Sequence, residues 1–246
     1  MVKNRDKEKE AVVRQENAAL SAAPDITRFL EKAKQAEPRS DTGGRLIFAL
    51  DATMSRQPTW DRACQIQAEM FKEADKVGGL KIKLVYFRGF GECRASRWFE
   101  SGEALARAMG AIACQGGQTQ IRKVLSAALA AADREKIAAL VYVGDCMEED
   151  VDLLCDKAGQ LGLLGVPMFL FQEGRDAVAE RAFREMARLT NGVYCPFDAG
   201  SAKQLADLLK AVAVFASGGH TALRTLERQG GQGARLLLEQ LKPGRG

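Results

Sequence analysis

From residue 44 onward, apolar runs that suit strands alternate with segments of helical period. RLIFALD (45–51) is apolar almost throughout and predicts a buried strand ending on Asp51. KIKLVYF (81–87) alternates apolar with polar positions and predicts a second strand. ECRASRWFE (92–100) predicts a short third strand, paired with the second as a hairpin through RGFG (88–91). IAALVYVGD (137–145), VPMFLFQ (166–172) and GVYCPF (192–197) predict three more. Helical segments lie between them. The first is Thr59–Lys76, opened by Pro58, with Ala63, Ile66, Met70 and Ala74 on one side. SGEALARAMGAI (101–112), QIRKVLSAALAAADR (120–134), EEDVDLLCDKAGQLG (148–162) and AVAERAFREMARLTN (177–191) follow. SAKQLADLLKAVAVFA (201–216) is the last, with a capping-box start at Ser201 and Gln204.

This alternation predicts an α/β fold: a doubly wound, mainly parallel sheet with one antiparallel edge strand and helices on both faces. Right-handed crossovers cover both faces only if the chain reverses direction once along the sheet. The simplest layout puts strand 45–51 in the middle, the hairpin on one side and strand 137–145 on the other. The ordered alternation spans 43–216. Residues 1–42 read as a charged arm with a short helix near Pro24, whose Ile26, Phe29, Leu30 and Ala33 share a face. Residues 217–246 read as a Gly-rich tail with one leucine-rich piece, ARLLLEQLK (234–242), expected to dock back on the domain.

Composition narrows the function. The chain has 246 residues, 46% hydrophobic and 28% charged, enough for a sizeable core. Its net charge of +4 is scattered rather than blocked, so a nucleic-acid partner is not indicated. MVKNRDKEKE mixes both signs and does not read as a signal peptide. The longest apolar run, LLGVPMFLF, is too short for a membrane span, so the expected compartment is cytoplasmic. Six cysteines form no CxxC pair and read as reduced thiols. The single histidine, His220, excludes His-rich metal sites and argues against a Ser-His-Asp or Cys-His enzyme.

Ligands in open α/β sheets sit outside the carboxyl ends of the strands, where strand order reverses. Asp51 and Asp145 are expected to end neighbouring strands there. Thr53 and Ser55 follow Asp51 at every second position, and Thr119 leads into a helix at the same rim. Asp51, Thr53, Ser55, Thr119 and Asp145 are all hard oxygen donors, a set that suits Mg²⁺ or Mn²⁺. Local readings stand beside this one. Asp145 would N-cap the next helix with Glu148 completing a capping box, Thr119 would cap the helix at Gln120, and Asp51, Thr53 and Ser55 would stabilise a turn. Trp60 and Phe90 sit near the rim, where aromatics are more often core.

These residues resemble the von Willebrand factor A domain family and its metal-ion-dependent adhesion site. The family pattern is D-x-S-x-S after the first strand, a Thr in a later glycine-rich loop, and an Asp after the fourth strand. Asp51, Thr53 and Ser55 match the first part, with Thr for the middle Ser. GGQTQIRKVLSAAL (116–129) is similar to the family's Gly-Gly-x-Thr-x-Ile loop and helix and supplies Thr119; Asp145 matches the last element. One departure is Gly144-Asp145-Cys146, where the family usually has Thr-Asp-Gly. The resemblance covers residues 43–215. It implies a non-catalytic, metal-dependent module whose ion accepts an Asp or Glu carboxylate from a protein partner, in support of an intracellular multiprotein complex. Two other functions compete. DATMS is similar to the D-x-D-x-T of haloacid dehalogenase phosphatases, which would make Asp51 a nucleophile beside Mg²⁺, but Thr53 stands where the second Asp serves as general acid. An RNA-associated binding role rests only on the mildly basic balance and on family members that accompany RNA-binding partners.

Overall fold

The computed structural model describes residues 44–57, 80–197 and 202–241. The expected arm, its helix near Pro24 and the helix Thr59–Lys76 lie outside these residues, as do Trp60 and Ser201. Six strands are described: β1 (Arg45–Asp51), β2 (Lys81–Arg88), β3 (Glu92–Phe99), β4 (Ala139–Gly144), β5 (Met168–Glu173) and β6 (Val193–Phe197). The described helices are α1 (Gly102–Gly110), α2 (Ile121–Ala132), α3 (Val151–Leu163), α4 (Ala177–Leu189), α5 (Ala202–Arg228) and α6 (Gln232–Gln240).

The strands form one sheet in the order β3-β2-β1-β4-β5-β6. Every pair is parallel except β2 with β3, which is antiparallel. The chain thus runs outward from β1 to one edge, returns to the other flank of β1 at β4, and winds outward again. That single reversal makes β1/β4 the switch point and opens a crevice above their carboxyl ends. Asp51 pairs with Phe87 across β1 and β2, and Leu50 pairs with Val143 across β1 and β4. The expected layout and the antiparallel edge hairpin are both present.

The near-continuous apolar strands follow from burial on both faces. Alternate residues go to opposite sides. Leu46, Phe48 and Leu50 of β1 join Val141, Val143, Phe169 and Phe171 in a core closed by α1, α5 and α6. Ile47 and Ala49 join Leu140, Tyr142 and Leu170 in a second core closed by α2, α3 and α4. Local chemistry sets the helix starts. Ser101 accepts from the Ala104 amide at 3.5 Å and Asp176 from the Ala179 amide at 2.6 Å.

The C-terminal region is more helical than its composition suggests. The helix expected to end at Ala216 runs on as α5 to Arg228, broken only at Gly219, which takes φ 63°, ψ −157°. Gly218-Gly219 reads as a terminator, but a single residue leaves helical geometry and a second segment starts at once. Leu237 of α6 is fully buried, a contribution of about 2 kcal/mol. The leucine-rich piece therefore docks back, as expected. Among the described residues, no helix is long and apolar enough to cross a membrane.

Candidate metal centre

β1 stops because the chain turns over its neighbours. The Ala52 amide donates to the Phe87 carbonyl at 3.0 Å, and the Ala52 carbonyl accepts from the Gln115 amide at 3.0 Å. Thr53 makes one parallel bridge to Gln115. Met54–Arg56 then form a single 3₁₀ turn. The extended face expected for Asp51, Thr53 and Ser55 therefore holds only as far as Thr53, and the turn brings Ser55 back. The Thr53 amide donates to Asp51 Oδ1 at 2.8 Å, and the Thr53 and Ser55 hydroxyl oxygens lie 3.0 Å apart. Asp51 and Thr53 are buried; Ser55 is exposed.

β4 delivers Asp145 one residue beyond its end, beside β1. One donor atom each from Asp51, Asp145 and Cys146 lie within 4.8 Å of one another. Asp51 Oδ2, Asp145 Oδ1 and the Tyr142 hydroxyl are buried without a hydrogen-bond partner. Orphaned buried oxygens are rare in folded proteins and point to a missing ion or ligand. Burial, with the Asp145 carboxylate beside it, pushes the Asp51 carboxyl up from 3.8 to about 6, against the Thr53 bonds and the Arg56 charge. Arg56 is buried too and pairs with Glu173 at the end of β5. Its burial lowers the guanidinium pKa, while Asp145 and Asp51 oppose that shift. Burial and the adjacent Asp145 push the Cys146 thiol up to about 12. Tyr142 rises well above its usual value through burial, with Asp51 and Asp145 adding to it.

Thr119 lies on the neighbouring loop and is bound to the segment that follows Asp145. Its hydroxyl accepts from the Glu148 amide at 3.1 Å, and its amide donates to Glu148 Oε2 at 3.1 Å. Glu149 accepts from the Ile121 amide and, at 3.0 Å, from the Arg122 amide. The start of α2 is thus satisfied by two carboxylates from the β4–α3 loop, where negative charge is also favoured by the helix dipole. Two local expectations give way here. Thr119 does not cap α2, whose N-cap is Gln120 with no side-chain capping bond. Asp145 does not cap α3; Asp150 does, accepting from the Asp152 and Leu153 amides at 2.9 and 3.2 Å. Asp145 is left free of that duty.

In the glycine-rich loop, Gly117 serves packing. A Cβ on Gly117 would fall 2.0 Å from the Gly89 carbonyl oxygen. That contact clamps the loop to the β2–β3 hairpin, and the Gln120 side-chain amide adds bonds to the Arg88 and Gly89 carbonyls. At the rim, Met54 is 53% and Phe90 85% exposed, so Phe90 is a hairpin tip and not core.

The structure thus joins Asp51 to Thr53, and Thr53 to Ser55, by hydrogen bonds, and sets Asp51 beside Asp145. Thr119 joins the loop that carries Asp145. Cys146, Tyr142, Arg56, Glu148 and Glu149 were missed as members of the centre. Cys146 is one residue from Asp145, which was a usable signal. The two glutamates had none, because their partners are 27 to 29 residues away. A buried and a half-buried carboxylate, each with an orphaned buried oxygen, and a nearby hydroxyl pair fit a divalent cation that prefers oxygen ligands.

No protein-family model and no curated protein matches the chain by sequence. Its fold does match solved structures. One is a von Willebrand factor type A protein from Catenulispora acidiphila, with TM-score 0.58 and 16% identity, over 72% of this chain and 43% of that one. A second is the SpRpn10 VWA domain, with TM-score 0.55 and 10% identity, over 66% of this chain and 94% of that one. A third is the human COPII-coat protein Sec24c, with TM-score 0.53 and 12% identity, over 73% and 32%. This chain spans less than half of the Catenulispora and Sec24c chains. The six-stranded sheet with its antiparallel edge and two helical layers has the VWA-like α/β fold.

Proposed function

We propose that this chain is a metal-dependent protein-binding module, in which Asp51, Thr53, Ser55, Thr119 and Asp145 hold Mg²⁺ or Mn²⁺. The observation that carries this reading is the pair of orphaned buried oxygens, Asp51 Oδ2 and Asp145 Oδ1, at the switch point of the sheet. Two like charges there are unfavourable without a cation. The bound ion supplies an electrophilic coordination position for an Asp or Glu carboxylate of a protein partner. The chain's own residues prepare that position. The Thr53 amide orients the Asp51 carboxylate, the Gly117–Gly89 contact fixes the loop that carries Thr119, and Glu148 and Glu149 lock that loop to the Asp145 segment. Exposed Met54 and Phe90 offer apolar contact at the same rim, and both residue types are enriched at protein interfaces.

Support for an assembly role comes from one of the structural matches, a COPII-coat protein, and it extends to this chain only by fold. The free cysteines among the described residues fit a reducing, cytoplasmic setting. The test is affinity capture with wild type and Asp51→Ala in parallel, with Mg²⁺ and with chelator. Proteins held by wild type in Mg²⁺, and lost in both other arms, are expected. An identical set of captured proteins in all arms refutes the reading.

A further inference from the structure

We propose that Cys146 is a third protein ligand of the Asp51–Asp145 centre and opens it to a thiophilic divalent ion, Zn²⁺ above all, in addition to Mg²⁺. The inference rests on the reading above only in placing a cation between the two carboxylates.

The geometry comes from the sulfur's position. Three donor atoms within 4.8 Å of one another leave a point no farther than about 2.8 Å (4.8 Å divided by √3) from each, against 2.0–2.3 Å in zinc sites. The remaining gap is under about 1 Å. The second observation is independent of the cysteine: Asp51 is fully buried and its Oδ2 has no partner, and Asp145 Oδ1 is also orphaned. The sulfur is half-buried and sits directly after Asp145, so one donor ends β1 and the other two open the loop that follows the adjacent strand β4.

Two carboxylates and a thiolate give three protein ligands and leave a fourth position open, the arrangement of a zinc site that still accepts an outside ligand. Thiolate discriminates strongly in favour of zinc over magnesium, which avoids sulfur and keeps water and hydroxyl ligands instead. Coordination exchanges the thiol proton for the metal. The same centre then has two loaded forms. One is built on Thr53, Ser55 and Thr119 oxygens, the other on Cys146 sulfur.

The experiment titrates the metal-free full chain with Co²⁺, a coloured stand-in for Zn²⁺, and follows the sulfur-to-metal charge-transfer absorption. The band is expected to saturate at one equivalent in wild type and in the control Cys155→Ser, and to disappear in Cys146→Ser. Zn²⁺ displaces it. Calorimetry on the same samples is expected to show Zn²⁺ affinity falling at least about tenfold in Cys146→Ser, with Mg²⁺ affinity changed by less than about threefold. Circular dichroism checks that each variant is folded. A band absent from wild type, or one that persists in Cys146→Ser, overturns the proposal. So does an equal loss of Mg²⁺ and Zn²⁺ affinity, which assigns the cysteine to packing. If Mg²⁺ fails to bind while the cobalt band behaves as expected, the Mg²⁺ adhesion reading falls and the thiolate ligand stands.

Discussion

Two buried polar clusters sit along the same carboxyl rim of the sheet, and they are built on opposite principles. Near the carboxyl end of β5, Gln172 is fully buried and both ends of its side-chain amide are hydrogen-bonded. Its Oε1 accepts from the Tyr194 hydroxyl at 2.7 Å, and its Nε2 donates to the Asp176 carbonyl at 2.8 Å. Beyond β1 and β4, the Asp51 and Asp145 carboxylates and the Tyr142 hydroxyl keep orphaned oxygens. A satisfied network fixes the fold, and an unsatisfied one is stable only because something else completes it. The contrast between the two clusters, rather than the presence of acidic residues, marks β1/β4 as the functional end.

The largest expected effect is on the ion. Asp51→Asn keeps an acceptor for the Thr53 amide but removes a charge, so Mg²⁺ at 100 times its wild-type dissociation constant, worth about 2.7 kcal/mol of stability to wild type, is expected to add almost nothing to the variant. Thermal denaturation with and without Mg²⁺ measures it. Next comes the metal-free protein's response to pH. The folded Asp51 carboxyl sits at about 6, above the ordinary 3.8, so the folded state holds the proton more tightly than the unfolded chain. Stability contributed by this group is therefore present at low pH and lost as pH rises from about 4 to about 6, by an amount on the order of 3 kcal/mol. Subtracting the Asp51→Asn profile from that of wild type, both in chelator, isolates the term. A difference that is flat with pH breaks the comparison from one side.

The other side is broken at Gln172. Gln172→Leu leaves the Tyr194 hydroxyl without its acceptor and is expected to destabilise by about 1–3 kcal/mol with Mg²⁺ affinity unchanged, as read by urea unfolding and calorimetry. The smallest effect is the sharpest contrast. Tyr194→Phe removes a made hydrogen bond and is expected to cost about 1 kcal/mol, whereas Tyr142→Phe removes an orphaned hydroxyl and is expected to be neutral or slightly stabilising in the metal-free state.

Much of this was legible in the chain. The apolar runs marked the strands, the single reversal placed β1 beside β4, and two runs that stop on carboxylates predicted where those carboxylates would meet. Burial on both faces makes such strands readable, because every position is apolar until the chain emerges. What local pattern could not show was which acidic residue of DCMEED does which task. Asp145, Glu148, Glu149 and Asp150 all look like caps. Only the three-dimensional path of the β4–α3 loop assigns Asp150 to its own helix and the two glutamates to the start of α2 across the crevice. Phe90 was misjudged because an aromatic at a tight hairpin tip has no neighbour to bury it. The last helix was expected to end at Ala216 because a Gly-rich stretch follows, but glycine permits both a stop and a restart, and Gly219 is only a break.

The most direct measurement is a Mg²⁺ titration of the metal-free chain by calorimetry, in wild type and Asp51→Asn, paired with chelator melting curves of both at neutral pH. The expected result is one ion bound by wild type, none by the variant, and a metal-free variant at least as stable as metal-free wild type, because a buried charge has been removed. Equal Mg²⁺ binding by both proteins, or a variant markedly less stable than wild type without metal, would show that Asp51 is a structural residue and contradict the assignment of this rim as a metal centre.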